Sequence, residues 1–231
     1  MDAKDRLIVA LDMDSLSDTL KLAKMLAPLV GGYKIGPVLI FDMLSAAEDV
    51  RHAKQDILSE LYNFFSTRNV FCDMKLHDIP NTVGECTKRI MEFPGIKMFT
   101  VHASSGVSAM ADAVFQKREG VLALAVTVLS SITDDESLSI YGKPVTAKIL
   151  DFAKDASYAG MDGVICPPRG LHVLREYEGK RPLIKVVPNI RPTGFLAHDQ
   201  IDPMTPYEAI QAGADYIVVG RPITNSLAKS G

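Results

Sequence analysis

The first apolar run of the chain is Leu7-Ile8-Val9-Ala10-Leu11, and the charged Asp12 closes it. The run is short, aliphatic and continuous, as is typical of a parallel strand that is covered on both faces. We predict a strand here and in seven further short runs of this kind, at residues 33–35, 70–73, 98–101, 122–126, 163–166, 183–187 and 216–219.

Stretches with helical spacing separate these runs. The first, residues 15–29, begins with Ser15 and Asp18, which form a helix-capping signature ahead of the apolar face. Strand and helix alternating eight times predict an α/β fold, a single (β/α)8 TIM barrel. An open doubly wound sheet is the competing architecture, but it usually has fewer strands, and no G-x-G-x-x-G motif follows the first run.

One domain over residues 1–231 is the simplest interpretation, because no linker or low-complexity tract interrupts the chain. Residues 37–69 are long for one crossover between strands. The pattern around residues 46–65 predicts one long helix or two consecutive helices on the outside of the barrel.

Composition and charge argue against several classes of protein. The 231 residues are 47% hydrophobic and 23% charged, with a formal net charge of −3, so the chain has no basic field for a nucleic acid or an anionic membrane. The three cysteines, Cys72, Cys86 and Cys166, are too scattered for a disulfide framework and indicate a reducing compartment, by default the cytoplasm. The first apolar run is too short for a signal peptide or a membrane span.

Polar and charged residues stand at or near the carboxyl ends of the predicted strands. Chemistry belongs at this end of a (β/α)8 barrel, and a purely structural barrel has no need for such residues. The set comprises Asp12, Lys34, Asp73, Lys75, His102, Asn189, Arg191, Gly220 and Arg221.

Asp73 and Lys75 lie two residues apart on the third predicted strand. Because side chains alternate along a strand, both should point into the site, while Cys72 and Met74 point away from it. Carboxylates around Lys75 would keep it an ammonium group. That form suits a general acid that protonates a carbanion-like carbon, and not a Schiff-base nucleophile. A buried structural ion pair is the alternative.

Gly220-Arg221-Pro222 follows the last predicted strand. Pro222 suits the first turn of a closing helix, whose backbone N–H groups would form a phosphate site beside Arg221. The alternative is a glycine turn next to a solvated arginine.

The stretch Asp73-Met74-Lys75-Leu76-His77-Asp78-Ile79-Pro80-Asn81-Thr82 resembles the D-x-K-x-x-D-I-P-N-T signature of the orotidine 5'-monophosphate decarboxylase family. Further blocks resemble that family in the same order, so that the likeness covers essentially the whole chain. They are residues 8–12, 33–36, 101–103, 126–127, 188–192 and 219–223.

The resemblance implies conversion of orotidine 5'-monophosphate (OMP) to uridine 5'-monophosphate (UMP), the last step of pyrimidine biosynthesis, without cofactor or metal. It assigns Lys75 to protonate C6 of the pyrimidine as carbon dioxide leaves. Lys34, Asp73, Lys75 and Asp78 would form an alternating charged array. The resemblance further implies a homodimer in which Asp78 and Thr82 would enter the pocket of the neighbouring subunit.

The resemblance also assigns the substrate contacts. Asp12 and Lys34 match residues that reach the ribose hydroxyls, and Ser130 matches the pyrimidine contact. Around the phosphate the matching residues are Arg191, Gln200, Gly220 and Arg221, and Pro188 is a further substrate-binding candidate.

Three features depart from the family pattern: Asn189, the pair Val128 and Ser130, and the segment between Lys34 and Asp73, which is longer than in compact bacterial members. Asn189 stands where glycine is usual, and asparagine tolerates the positive φ of such a turn. Val128 and Ser130 replace the Gln and Thr that are common in bacterial relatives.

We expect His102 and His77 to be supporting residues, and the segments 130–143 and 192–203 to be loops that act as lids.

Two other functions stay open on the sequence. Magnesium-dependent sugar-phosphate decarboxylases and aldolases share the D-x-K-x-x-D barrel, but they carry an acidic metal ligand where this chain has Lys34, and a cation there opposes a divalent metal. A non-catalytic protein that binds a phosphorylated ligand is the third possibility, and the intact set of Asp73, Lys75 and Asp78 argues against it.

Overall fold

The computed structural model contains a closed barrel of eight parallel strands, in which each strand pairs with the next and β8 pairs with β1. This confirms the predicted fold class. The structure describes residues 1–47, 52–177, 182–195 and 202–227. The strands are β1 Leu7–Ala10, β2 Gly32–Ile35, β3 Val70–Leu76, β4 Ile96–His102, β5 Leu122–Val126, β6 Gly163–Ile165, β7 Ile184–Val187 and β8 Tyr216–Val219.

Helices connect the strands and cover the outside of the barrel. They are α1 Leu16–Leu26, α2 Pro37–Ala47, α3 His52–Ser66, α4 Pro80–Met91, α5 Val107–Gln116, α6 Asp134–Tyr141, α7 Val145–Ala159, α8 Leu171–Arg175, α9 Pro206–Gln211 and α10 Arg221–Leu227. Between β2 and β3 the described residues form two helices: α3 covers most of the stretch 46–65 for which a long helix or two consecutive helices were expected, and α2 lies ahead of it. That residues 1–231 act as one domain stays a prediction. No helix in the described ranges is long and apolar enough to cross a membrane.

Helix α1 begins as its sequence predicts and ends earlier. Ser15 is the N-cap, and its Oγ accepts a hydrogen bond of 3.1 Å from the backbone N–H of Asp18. The predicted helix extended to residue 29, but α1 ends at Leu26. Pro28 has no backbone N–H to continue the hydrogen-bond series, so the chain turns there.

Side chains alternate between the inside and the outside of the barrel. Ile8, Phe71 and Met98 belong to the apolar cluster that fills the inside, whereas Cys72 and Phe99 pack against the surrounding helices. The prediction that Cys72 points away from the site is therefore confirmed. By the same period of two, Lys34, Asp73, Thr100 and His102 lie on the inner face at its carboxyl end.

Two aspartates close the amino end of the barrel. Each directly precedes a strand, and each accepts a hydrogen bond from a backbone N–H of the strand before it: Asp162 from Ala123 and Asp215 from Lys185, both at 2.8 Å. Asp162 Oδ2 is also 3.2 Å from Lys117 Nζ. These carboxylates satisfy strand amides that have no neighbour at this end.

We expect Asp162→Ala to lower the free energy of unfolding by about 2 kcal/mol, because it removes a charge-assisted hydrogen bond from a partly buried amide. Urea denaturation followed by circular dichroism measures the change. Glu119→Ala is the control, since this acid is exposed in the turn before β5 and should alter stability by less than about 0.5 kcal/mol. Equal effects of the two substitutions would contradict the assigned role of Asp162.

Candidate active site

Four charged side chains of alternating sign form a chain at the carboxyl end of β1, β2 and β3. Lys34 Nζ lies 3.4 Å from Asp12 Oδ2 and 3.6 Å from Asp73 Oδ2, and Lys75 Nζ donates to Asp73 Oδ2 at 2.8 Å. The side chain of Asp73 is 10% exposed, against 49% for Asp12. Lys34 is 14% exposed and Lys75 37%, so the middle of the array is its most buried part, and the interactions of Asp73 are the least screened.

The backbone that carries Lys75 is irregular. Cys72 pairs with Phe99 and Leu76 pairs with Val101, so three residues of β3 stand opposite one residue of β4. Lys75 itself has φ +48°, in the left-handed region that costs a residue with a side chain of the order of 1 kcal/mol. We predicted that regular side-chain alternation brings Asp73 and Lys75 together. The two side chains do meet, but the predicted cause was wrong, because β3 forms a bulge with a left-handed residue at this point instead of a regular strand.

Thr100 of β4 is the residue that stands opposite this bulge. Its side chain is fully buried, and its Oγ1 donates to Asp73 Oδ1 at 3.1 Å and accepts from the backbone N–H of Lys75 at 2.8 Å. Sequence reasoning missed this residue. The available signal was a polar residue two positions before His102, which by the period of two lies on the same inner face of the strand.

Asp78 and Thr82 lie apart from the array within this chain. The Asp78 carboxylate is exposed beyond the end of β3 and accepts a hydrogen bond of 2.7 Å from the backbone N–H of Ile79. Thr82 is half-buried in the first turn of α4. A single subunit therefore brings together Asp12, Lys34, Asp73 and Lys75.

The predicted phosphate residues follow β7 and β8. Gly220 stands directly between β8 and α10, and its carbonyl accepts from the N–H groups of Ile223 and Thr224, so that α10 begins at Arg221. Arg191 is buried, with 8% of its surface exposed, and Pro188 is half-buried. Gln200 lies outside the described residues.

Asn189 has φ +64°, as we expected for a residue that replaces glycine in this turn. Its left-handed conformation lets the chain change direction between β7 and Arg191. The backbone N–H of Arg191 then donates to the carbonyl of Met204 at 2.9 Å. This contact ties the segment after β7 to the residues that precede α9.

The first of the two expected lids differs from the prediction. In the segment 130–143, residues 134–141 form α6, because Thr133 and Glu136 make a reciprocal capping box and Gly142 ends the helix in the left-handed region. Ser130 is half-buried in the turn before this helix. Of the segment 192–203, residues 196–201 lie outside the described residues.

His102 lies on the inner face two residues after Thr100, and the exposed His77 lies beside it. Their ring centres are 5.5 Å apart, and His102 Nδ1 accepts from the backbone N–H of Ser104 at 3.3 Å. Burial, followed by the charges of His77 and Lys75, lowers the pKa of His102 to about 4. The imidazole is therefore neutral at pH 7, as suits a supporting hydrogen-bond partner.

Comparison with known proteins agrees with this geometry. Residues 5–229 match the sequence pattern of the family described as "Orotidine 5'-phosphate decarboxylase / HUMPS family". The chain belongs to this family. The resemblance drawn from residues 73–82 is thereby confirmed at the level of the family.

Individual members of the family match over nearly their whole length. The orotidine 5'-phosphate decarboxylase of Anaeromyxobacter dehalogenans is 39% identical, with 98% of this chain and 94% of the relative covered. The one from Heliobacterium modesticaldum is 38% identical over 97% of this chain and 90% of the relative. The crystal structure of orotidine 5'-phosphate decarboxylase from Lactobacillus acidophilus superimposes with a TM-score of 0.69 at 32% identity, covering 95% and 91% of the two chains.

The lowered pKa of His102 predicts how the free energy of unfolding depends on pH. The unfolded histidine, with a pKa near 6.5, takes up its proton before the folded one does, so the contribution of neutral His102 is complete above about pH 6.5 and is lost as the pH falls towards 4. Relative to His102→Asn, the wild type should lose up to about 3 kcal/mol of unfolding free energy over this range. Urea titrations at several pH values measure the difference, and parallel profiles for the two proteins would contradict the assignment.

Proposed function

We propose that this protein is a carboxy-lyase that converts OMP to UMP and carbon dioxide without cofactor or metal, as the last step of pyrimidine biosynthesis. The observation that carries the proposal is the Asp12–Lys34–Asp73–Lys75 array at the carboxyl end of the barrel. It occurs in a chain 35–39% identical to proteins named orotidine 5'-phosphate decarboxylase. The array has the charges that the reaction needs at the positions where this fold carries its chemistry.

In the proposed reaction the bond between C6 and the carboxyl group breaks, and its electron pair stays on C6. The Lys75 ammonium group donates a proton to that carbon, so the charge does not persist. Asp73 holds Lys75 Nζ at 2.8 Å and, in the complex, lies against the departing carboxylate of the substrate. Repulsion there and stabilisation of the carbanion by Lys75 both lower the barrier.

Binding residues surround this centre in the proposal. Arg191, Gln200, Gly220 and Arg221 hold the phosphate, Asp12 and Lys34 hold the ribose, and Pro188 is a further substrate contact. Ser130 contacts the pyrimidine. The phosphate lies far from C6, so its binding energy can serve to fix the pyrimidine against Asp73 instead of only increasing affinity.

The magnesium-dependent alternative requires an acidic ligand at the end of β2. In this chain the position holds Lys34, whose ammonium group lies within 3.6 Å of both Asp12 and Asp73. A cation so placed neutralises the carboxylates that a divalent metal would use. The geometry therefore favours the metal-free reaction.

We further propose a homodimer in which Asp78 and Thr82 complete the site of the neighbouring subunit. The support is the location of Asp78, which is exposed beyond the end of β3 and takes no part in the ion pairs formed among the described residues of its own barrel. A small nucleotide is the proposed ligand, with no nucleic acid and no membrane as partner. A cytoplasmic location agrees with three cysteines that are all free thiols.

The first test follows the loss of orotidylate absorbance with and without a chelator. The wild type should be active and insensitive to the chelator. Lys75→Ala should lower kcat by about 10³-fold or more, because it removes the general acid, while UMP binds with nearly unchanged affinity. Lys88→Ala, which removes an exposed lysine of α4, is the control and should keep full activity. A wild type that leaves OMP intact, or a Lys75→Ala variant with near-normal turnover, would refute the proposal.

The second test addresses the shared site. Lys75→Ala and Asp78→Ala subunits are each expected to be inactive alone. When equal amounts are unfolded and refolded together, half of the dimers are mixed, and each mixed dimer has one complete site, so that about a quarter of wild-type activity should return. Asp78 acting within its own subunit would restore none, since no barrel in the mixture would then hold both residues.

A further inference from the structure

Thr100 carries a hydroxyl group at a fully buried position, where an apolar side chain would be expected. It lies on the inner face of β4, pairs with Leu124 of β5, and has none of its surface exposed. A hydroxyl buried without hydrogen bonds destabilises the fold, and a valine of the same shape would avoid that cost. The hydrogen-bond partners of Thr100 therefore indicate what the hydroxyl is for.

Both hydrogen-bonding capacities of this hydroxyl are used on the charged array. Its proton goes to Asp73 Oδ1, and its lone pair receives the backbone N–H of Lys75. The other oxygen of Asp73, Oδ2, faces Lys75 Nζ at 2.8 Å and Lys34 Nζ at 3.6 Å. Thr100 thus fixes the rotation of the Asp73 carboxylate about its Cβ–Cγ bond and directs Oδ2 towards both lysines.

The hydrogen bond from the backbone N–H of Lys75 to Thr100 constrains the backbone of β3. In the bulge of β3, the N–H of Lys75 has left the regular ladder with β4, where only Thr100 stands opposite three residues. The hydroxyl replaces the missing ladder acceptor. It thereby holds Lys75 at φ +48°, a conformation that a residue with a side chain adopts only when its surroundings enforce it.

We propose that Thr100 is a positioning residue for the decarboxylation, which sets the carboxylate of Asp73 and the backbone of Lys75 in the geometry needed for proton delivery to C6. This inference rests on the proposed function. Thr100 itself acts through Asp73 and Lys75 and transfers no proton to the substrate.

The test compares Thr100→Val, which keeps the shape and removes the hydroxyl, with Thr100→Ser, which keeps the hydroxyl. Thr100→Val should lower kcat by about 10- to 100-fold, because a small displacement of the reacting groups is enough to do so. KM for OMP, the affinity for UMP and the number of UMP sites per subunit, measured by calorimetry, should stay near the wild-type values. Thr100→Ser should recover most of kcat.

Thr87→Val is the matched control. Thr87 is also a fully buried threonine, but its hydroxyl donates to the carbonyl of Val83 within α4, so this variant loses a buried hydrogen bond without touching the array. It should retain the wild-type kcat. Three results would overturn the inference: wild-type kcat in Thr100→Val, an equal loss in Thr100→Ser, or a loss confined to KM.

Amide hydrogen exchange separates this inference from the proposed function. The N–H of Lys75 should exchange about 5-fold faster or more in Thr100→Val than in the wild type, and Thr100→Ser should keep its protection. Unchanged exchange would overturn the role of Thr100 whatever the activity. A wild type without activity on OMP would instead refute the proposed function, and with it the catalytic part of the inference.

Discussion

The carboxylate of Asp73 is the centre on which the rest of the site depends. It is a buried charge, and a buried charge is tolerated only with opposite charges and hydrogen bonds around it. Lys75 and Lys34 approach one oxygen, and Thr100 donates to the other. Each of these partners comes from a different part of the barrel or from an irregular stretch of it, so the closed sheet must hold them in register.

The closed barrel supplies the rigidity that this arrangement needs. Every strand is paired on both sides, so β3 cannot relax its bulge by leaving an edge. The strained conformation of Lys75 therefore persists, held by Thr100 on β4 and by the two pairs that flank the bulge, Cys72 with Phe99 and Leu76 with Val101. The rigid barrel thus keeps a strained backbone at Lys75, the residue that we propose as the general acid.

Exposure changes along the charged array in a way that suits its proposed roles. Asp12 stands half in solvent, where charges interact weakly, and Lys34 links it to the interior. Asp73 lies deepest, with 10% of its side chain exposed, so the effective dielectric constant around it is the lowest of the four and its interactions are the strongest, whereas Lys75 is 37% exposed. In the proposed reaction the half-exposed Asp12 is suited to hold ribose hydroxyl groups, and Asp73 to act on the bond that breaks.

Much of this protein could be predicted from its sequence because the signals involved are local. Eight continuous apolar runs predict eight strands, Ser15 predicts the start of α1, and Asn189 predicts a turn with positive φ, since each depends on a few neighbouring residues. The charged residues at the strand ends and the family signature likewise predict that Asp73 and Lys75 belong to the active site.

The tertiary structure decided what depends on contacts between distant parts of the chain. The bulge of β3 exists only in relation to the register of β4, and the importance of Thr100 arises from two hydrogen bonds across 25 and 27 residues of sequence. The placement of Asp78 outside its own array is also a property of the assembled barrel. Residue identity and periodicity determined which groups the site contains; packing between strands determined their distances, because no local pattern encodes which side chains meet across a closed sheet.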